Sequence, residues 1–373
     1  MTIGVPKEVK AGERRVAIVP ETVKRLAGKG LPVAVEAGAG AGAWLSDDDY
    51  RNAGAAVEPA AHAVLAGADL VVKIHPPTPR EVDLLRPGAA LISLLYPSTN
   101  LELVRALAAR GVTAIALDQI PRTTLAQTMD VLSSQGTAAG YRAVILGAEA
   151  LPKFFPMLMT AAGTVAPARV LVLGAGVAGL QAVSVARRLG AIVEAFDVRR
   201  AVKEQVESLG AKFVETGIAE DAATAGGYAR ELAEETQRRN REVIGERLAR
   251  TDVCITTALI PGRRAPILIT EDMVRRMRPG SVIVDLAAEQ GGNCELTEPG
   301  KTISRDGVTI LGSVDLASDL PVHASQMFSR NMEKLVFHLV RDGAFTPDFE
   351  DEITRGSVVT HGGRIVHPQL MGA

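Results

Sequence analysis

The stretch "RVLVLGAGVAGLQAVSVARRLGAIVEAFDVRR", residues 169 to 200, constrains the fold more than any other part of the chain. An apolar run ends in Gly174, Gly176 and Gly179, spaced G-x-G-x-x-G. A helical run follows, and a second apolar run ends at Asp197. Glycines in that order permit a tight turn, close approach of backbone to a pyrophosphate and close packing of helix on strand, while the helix N-terminus favours the anion. The expected element is a strand-helix-strand unit that binds a dinucleotide. Asp197 is placed to accept hydrogen bonds from the adenosine ribose hydroxyls and to repel a 2′-phosphate, which points to NAD(H). Arg199 and Arg200 just beyond leave NADP(H) as the alternative, because an arginine there can hold the extra phosphate.

The same grammar runs through the chain. Before about Asp118, short apolar runs such as "TIGVP", "PVAVEAG", "ADLVVKI", "ALISLL" and "VTAIAL" alternate with helical patterns. Alternation of this kind predicts a parallel sheet with crossover helices. An internal echo supports two such units: "GADLVVKIHPP" then "LLRPGAALISLL" parallels "RTDVCITTALIPG" then "RMRPGSVIVDLA". The predicted fold class is α/β, with two doubly wound parallel-sheet, Rossmann-like domains separated by a cleft. An amphipathic helix from about Ala324 to Val340 is expected to cross back. The first domain would then comprise residues 1–133 plus 316–373, and the second residues 134–315. At 373 residues, two cores are also what length alone predicts. Gly38, Gly40 and Gly42 in "GAGAGAWLSDDDY" read as a flexible turn before a helix capped at Ser46, since no Lys-Ser or Lys-Thr follows to make a phosphate loop.

Charge narrows the partners. A net charge of −2 with 23% charged residues leaves no basic footprint for nucleic acid or anionic lipid. Cys254 and Cys294 have no second thiol or histidine at metal spacing, so neither a disulfide nor a metal site is expected. The N-terminus lacks the apolar core of a signal peptide, and the longest uncharged run, Val170 to Ala186, is too short to span a bilayer. A cytosolic location is expected.

"RTTLAQTMDVLSSQGTAAGYRAV", residues 122 to 144, is polar and contains neither histidine nor cysteine. Oxidation of an alcohol or amine needs a positioned acid or base. Hydride passing between two nicotinamides needs only two rings in contact, water excluded and the carboxamides fixed. Arg122, Gln127 and Asp130 can form a hydrogen-bonding network, with Ser133 and Ser134 as short donors. An ordinary linker leading into a helix near Asp130 or Ser134 is the alternative. The six histidines, His62, His75, His323, His338, His361 and His367, read as structural or surface groups. The "TAGGY" centre of the charged stretch 216–252 reads either as a loop that closes over a site or as a solvated connection.

These motifs, together with "TTALIPGRRAPILIT" and "VIVDLAAEQGGNCELTEPG", resemble the soluble NAD(H)-binding component of proton-translocating NAD(P)+ transhydrogenase over nearly the whole chain. The resemblance implies that Arg122, Gln127, Asp130 and Ser133 carry the hydride-transfer site, with Thr123 and Thr124 beside them. It implies that Gly174, Ala175, Gly176, Val177 and Gly179 meet the pyrophosphate, and that Asp197, Val198 and Arg199 surround the adenosine. Gly227 and Tyr228 of "TAGGY" would close over the nucleotide, Asn240 would contact it, and Ala258 and Leu259 would line its inner pocket. NADP(H) would be the co-substrate, held on a partner component. Separate membrane-spanning subunits, a homodimer and a place at the inner face of the plasma membrane are further implications.

Alanine dehydrogenase has the same two-domain plan, and "GERRVAIVP" with Arg15 and "VVK" with Lys73 resemble its substrate-carboxylate site. Tyr96 stands where its catalytic histidine would follow "ALISLL", and Glu289 where an aspartate would follow "VDLAA". Arg15 and Lys73 are accordingly read as inherited structure. An amino-acid oxidoreductase and a non-catalytic NADH sensor remain the alternatives.

Overall fold

The computed structural model describes residues 1–216, 233–260 and 263–370. The chain divides into two compact units, Met1–Gln135 with Ser318–Ala373, and Gly136–Ala317.

Unit 1 begins with β1 (Ile3–Val5), α1 (Pro20–Ala27), β2 (Val33–Glu36), α2 (Asp47–Asn52), β3 (Ala56–Glu58) and α3 (Ala61–Gly67). It continues with β4 (Leu70–Val72), α4 (Pro79–Leu84), β5 (Ala90–Ser93), α5 (Leu101–Ala109) and β6 (Thr113–Ala116). Helix α6 (Val131–Ala150) leads out of it. Unit 2 follows with β7 (Leu158–Thr160), β8 (Gly163–Val165), β9 (Arg169–Leu173), α7 (Val177–Arg188), β10 (Ile192–Phe196), α8 (Lys203–Ser208) and β11 (Lys212–Phe213). Then come α9 (Glu234–Leu248), β12 (Val253–Thr256), α10 (Glu271–Arg275), β13 (Val282–Asp285), β14 (Thr302–Arg305) and β15 (Val308–Gly312). The chain returns to unit 1 with α11 (Pro321–Leu339), β16 (Val340–Arg341), β17 (Ala344–Phe345), α12 (Glu352–Ser357), β18 (Val358–His361) and β19 (Arg364–Ile365).

Both main sheets are doubly wound. In unit 1 the order is β19-β18-β6-β5-β4-β1-β2-β3, with β1 to β6 parallel. In unit 2 it is β11-β10-β9-β12-β13-β15-β14, parallel from β11 to β15. The winding therefore reverses between β1 and β4 in one sheet and between β9 and β12 in the other, and ligands of open α/β sheets bind at the carboxyl ends of such strand pairs. The repeated sequence falls on equivalent strands, β4–β5 and β12–β13.

The edges depart from the all-parallel expectation. β14 runs antiparallel to β15, and β18 antiparallel to β6. The C-terminal segment is polar on average, yet Val358, Val359 and Thr360 are buried as β18 completes the first sheet. The turn at Gly40 and Gly42 is close-packed, not flexible: a Cβ on Gly42 would lie 2.6 Å from the Arg14 carbonyl oxygen. Ser46 caps α2 in a capping box with Asp49. His323 lies inside α11, which starts at Pro321 because proline suits the first helical position. Among the described residues, no helix is long and apolar enough to cross a membrane.

Candidate functional sites at the two sheet crests

In unit 2 the glycine turn follows β9 at the reversal of winding. Gly174 has φ +99°, and a Cβ there would lie 2.7 Å from Thr257 Oγ1 and 3.1 Å from Ala258 N. A Cβ on Gly179 would lie 1.8 Å from the Gly174 carbonyl oxygen. Gly176, the N-cap of α7, is open on its Cβ side out to an Arg199 guanidinium nitrogen at 4.0 Å. Two glycines thus serve packing and the third leaves backbone accessible at a helix N-terminus, where an anion is favoured.

Asp197 follows β10, and its carboxylate ties the turn together. Oδ2 accepts from Ala175 N at 2.7 Å, and Oδ1 from Arg199 N at 2.8 Å. The Arg199 side chain closes on both oxygens, Nε at 2.9 Å and Nη2 at 2.7 Å. These four bonds fill the acceptor positions of a carboxylate. Hydrogen bonding to ribose hydroxyls would exchange the Arg199 side chain for them. Val198 is half-buried beside this pair and Arg200 is exposed.

Opposite the turn, the segment after β12 is fixed by residues that the motif reading did not single out. Thr257 Oγ1 donates to the Gly174 carbonyl at 2.9 Å. Asn293 accepts from Ala258 N at 3.0 Å and donates to the Ala258 carbonyl at 2.8 Å. Asp285 anchors Asn293 in turn, accepting from the backbone N–H groups of Ala287, Asn293 and Cys294 and from the hydroxyls of Thr256 and Thr297. The signal was present in "VIVDLAAEQGGN", as a buried strand ending in a carboxylate that must find donors. Leu259 is half-buried beyond Ala258.

Asn240 is buried in α9, and its Oδ1 has no hydrogen-bond partner among the described residues. A buried acceptor left unsatisfied costs about 1–3 kcal/mol, so a donor from a bound nucleotide fits there. Arg247, two turns along the same helix, bonds Glu194 of β10 at 3.0 Å. Gly227 and Tyr228, with the rest of "TAGGY", lie outside the described residues. Cys254 and Cys294 are both buried, and burial pushes the Cys294 thiol up to about 11. Neither thiol is set up as a nucleophile.

Unit 1 carries the polar segment as far as Gln135. Arg122, Thr124 and Gln127 are exposed, while Thr123 is half-buried and accepts from Ala126 N. A turn at Ala126–Met129 buries Ala126 and Met129, which presents Gln127 outward. Asp130 opens α6: Oδ1 accepts from Ser133 N at 3.0 Å and Oδ2 from Ser133 Oγ at 2.5 Å. The pairing shown for Asp130 is with Ser133, and Ser134 turns to the Val131 carbonyl.

Where the winding of the first sheet reverses, charged side chains are packed against one another. Arg15 grips Glu13 through Nε at 2.9 Å and Nη2 at 2.5 Å, and His75 Nε2 lies 2.6 Å from the same carboxylate. Burial alone would push the Glu13 carboxyl up, but hydrogen bonds from Arg15 and His75 hold it well below the usual carboxylate range. Lys73, only 1% exposed, bonds Glu81 at 2.7 Å. Glu8 accepts from Ile74 N, and burial pushes its carboxyl up. Tyr96 has φ +47°, a position held by Asp118 Oδ1, which accepts from Leu95 N and Tyr96 N. Among the described residues no cluster of histidine, cysteine and carboxylates is arranged to hold a metal.

Residues 4–139 match the family model for the N-terminal domain of alanine dehydrogenase/PNT, and residues 143–368 match the model for its C-terminal domain. The chain belongs to the alanine dehydrogenase/PNT family. Within it, an NAD(P) transhydrogenase subunit alpha chain of Rhodospirillum rubrum is 51% identical over 381 residues, covering 100% of this chain and 99% of that one. Alanine dehydrogenase of Bacillus subtilis is 30% identical over 377 residues, covering 98% and 93%. A crystal structure of transhydrogenase from Sinorhizobium meliloti superimposes with a TM-score of 0.87 at 42% identity, covering 99% of this chain and all of the other. Against the alanine dehydrogenase side of the family, Arg15 and Lys73 are each closed by a carboxylate of this chain. Neither is left as an open cation for a substrate acid.

Proposed function

We propose that this chain is the NAD(H)-binding subunit of a proton-translocating NAD(P)+ transhydrogenase. The observation that carries this reading is the complete dinucleotide turn at Gly174, Gly176 and Gly179, locked by Asp197 and Arg199. Bound NADH supplies the hydride. Backbone N–H groups at Gly176 and Val177 face its pyrophosphate, and Asp197 accepts from the adenosine ribose. Asn240 Oδ1 takes a further donor, and Ala258 and Leu259 line the inner pocket. A 2′-phosphate in place of the ribose hydroxyl would meet the Asp197 carboxylate with no hydrogen to donate and like charge, which favours NAD(H) over NADP(H).

Arg122 and Gln127 orient the nicotinamide through its carboxamide, and Asp130 fixes Ser133 for the same purpose. No proton need be taken up or released at this site, because hydride passes from one nicotinamide to another. The acceptor, NADP+, is held by a partner component, and separate membrane-spanning subunits couple the transfer to proton movement. The chain works as a homodimer at the inner face of the membrane.

Stopped-flow mixing of the purified chain and NADH with a separately prepared NADP(H)-binding component and NADP+ tests this. Fast oxidation of NADH that requires both proteins is expected. Tight NADH binding with no transfer would overturn the reading in favour of an NADH sensor, and alanine-dependent reduction of NAD+ would favour the amino-acid oxidoreductase.

A further inference from the structure

Unit 1 ends at Gln135 and resumes at Ser318, and both of these junction residues are bonded to one buried ion pair. The side chains of Arg15 and Glu13 are 5% and 0% exposed. Arg15 Nη1 donates to Gln135 Oε1 at 2.9 Å. Ser318 Oγ lies 3.0 Å from Glu13 Oε1 and 3.0 Å from the Gly12 carbonyl, and it accepts from Arg14 N at 2.8 Å. One guanidinium and one carboxylate therefore hold residues 120 and 305 positions away in the chain.

The bonds continue into the polar loop. Gln135 Nε2 donates to the Ala324 carbonyl of α11 at 3.1 Å, and Asn331, two turns further along α11, donates to the Thr128 carbonyl at 2.8 Å. Helix α6 is thus fixed two residues after Ser133, and the loop is fixed next to Gln127. A guanidinium can do this because its planar fork bonds a carboxylate with two nitrogens and leaves a third to point elsewhere. An ammonium in the same place would keep the charge and lose the reach.

We propose that Arg15 and Glu13 are positioning residues for hydride transfer, acting through Gln135 and Ser318 to hold the loop 122–134. Neither side chain touches the nucleotide in this assignment. The inference rests on the transhydrogenase reading for its kinetic consequence, but its structural basis stands separately. Displacement of a reacting group by about 1 Å from a distant substitution can cost about 100-fold in rate, whereas binding to the glycine turn in unit 2 would not register it.

The test uses the full chain with the NADP(H)-binding component. Arg15→Lys preserves the charge opposite Glu13, and Gln135→Ala leaves the Arg15–Glu13 pair in place while removing the amide that joins it to α6 and α11. Each is expected to slow single-turnover hydride transfer about 10-fold or more, with the Kd for NADH within about threefold of the parent. Amide hydrogen exchange of the chain alone should quicken over residues 122–135. Unchanged exchange there, with unchanged transfer, would overturn the proposal. Exchange raised throughout the chain, with rate and affinity lost together, would also overturn it, by showing a general loss of stability. If the parent protein itself transfers no hydride, the functional reading fails, and exchange over 122–135 alone decides the positioning role.

Discussion

Gly140 in α6 faces the carbonyl of Ala178 in α7 so closely that a Cβ on Gly140 would lie 2.1 Å from that oxygen. Ala178 is the second residue of α7, whose N-cap is Gly176. The surface of α6 therefore seats the first turn of the helix that faces the pyrophosphate. Gly136, one turn earlier, is different: its Cβ would find nothing nearer than 3.8 Å, the distance to Val177 Cγ1 and Ala178 N, an ordinary contact.

The two glycines should respond oppositely to the same substitution. Gly140→Ala drives a methyl into backbone, and we expect a loss of about 1–3 kcal/mol of stability, with weaker NADH binding as α7 is pushed away. Gly136→Ala has space and gains helix propensity, so a gain of up to about 1 kcal/mol is expected. Urea unfolding of both variants checks this. Equal effects at the two positions would show that the α6–α7 contact is not the constraint.

Asp197 supplies a second prediction. Asp197→Ala removes the acceptor for Ala175 N and for the ribose, and loss of a charge-assisted bond of about 1.5–3 kcal/mol corresponds to about a 10- to 100-fold rise in the Kd for NADH. It also removes the carboxylate that opposes a 2′-phosphate, so NADPH should bind no worse than to the parent protein. Fluorescence titration with both nucleotides measures the two effects. A parallel loss for NADH and NADPH would mean that Asp197 holds the turn without reading the ribose.

The dinucleotide unit was legible because its determinants are local: the glycine spacing, the flanking strands and Asp197 all fall within 169–200. The parallel winding was legible from alternation, since buried strands and amphipathic helices differ in period. What stayed hidden depends on partners far apart in sequence. The pairing of Arg15 with Gln135, of Glu13 with Ser318, and of Asn293 with Ala258 leaves no trace in spacing. Polar residues of these types sit on exposed surfaces in most chains, and only the fold decides which are buried. The antiparallel edges were missed for a related reason. β14 and β18 each lie beside the outermost parallel strand of their sheet, Val308–Gly312 or Thr113–Ala116, and their direction depends on that edge, which their own residues do not encode.

Gln127 is exposed on a backbone that Ala126 and Met129 bury, so its amide projects from a fixed base. Gln127→Asn withdraws that amide by about 1.5 Å, one carbon–carbon bond. With the loop otherwise intact, single-turnover hydride transfer is expected to fall about 10- to 100-fold while the Kd for NADH changes by less than about threefold. Equal losses in rate and affinity would identify Gln127 as a binding residue with no role in orienting the ring.

Glu13 makes the pH dependence of stability predictable. Its folded-state carboxyl titrates well below the ordinary range because Arg15 and His75 outweigh its burial. A depressed carboxylate contributes stability that is fully present above the unfolded value near 4.3 and is lost as pH falls through the folded value. Glu13→Gln leaves Arg15 buried opposite a neutral amide, and removing one partner of a buried pair costs about 3–5 kcal/mol. The difference in unfolding free energy between parent and variant should therefore hold steady from about pH 7 to about pH 5.5 and narrow only below about pH 4. Glu8, whose carboxyl burial pushes up, has the opposite sign and is unchanged in both proteins, so it cancels in the comparison. Urea unfolding at these three pH values measures the difference. A gap already closing between pH 7 and 5.5 would show that Glu13 is not ionised in the folded chain, and would remove the charge on which its grip on Arg15 depends.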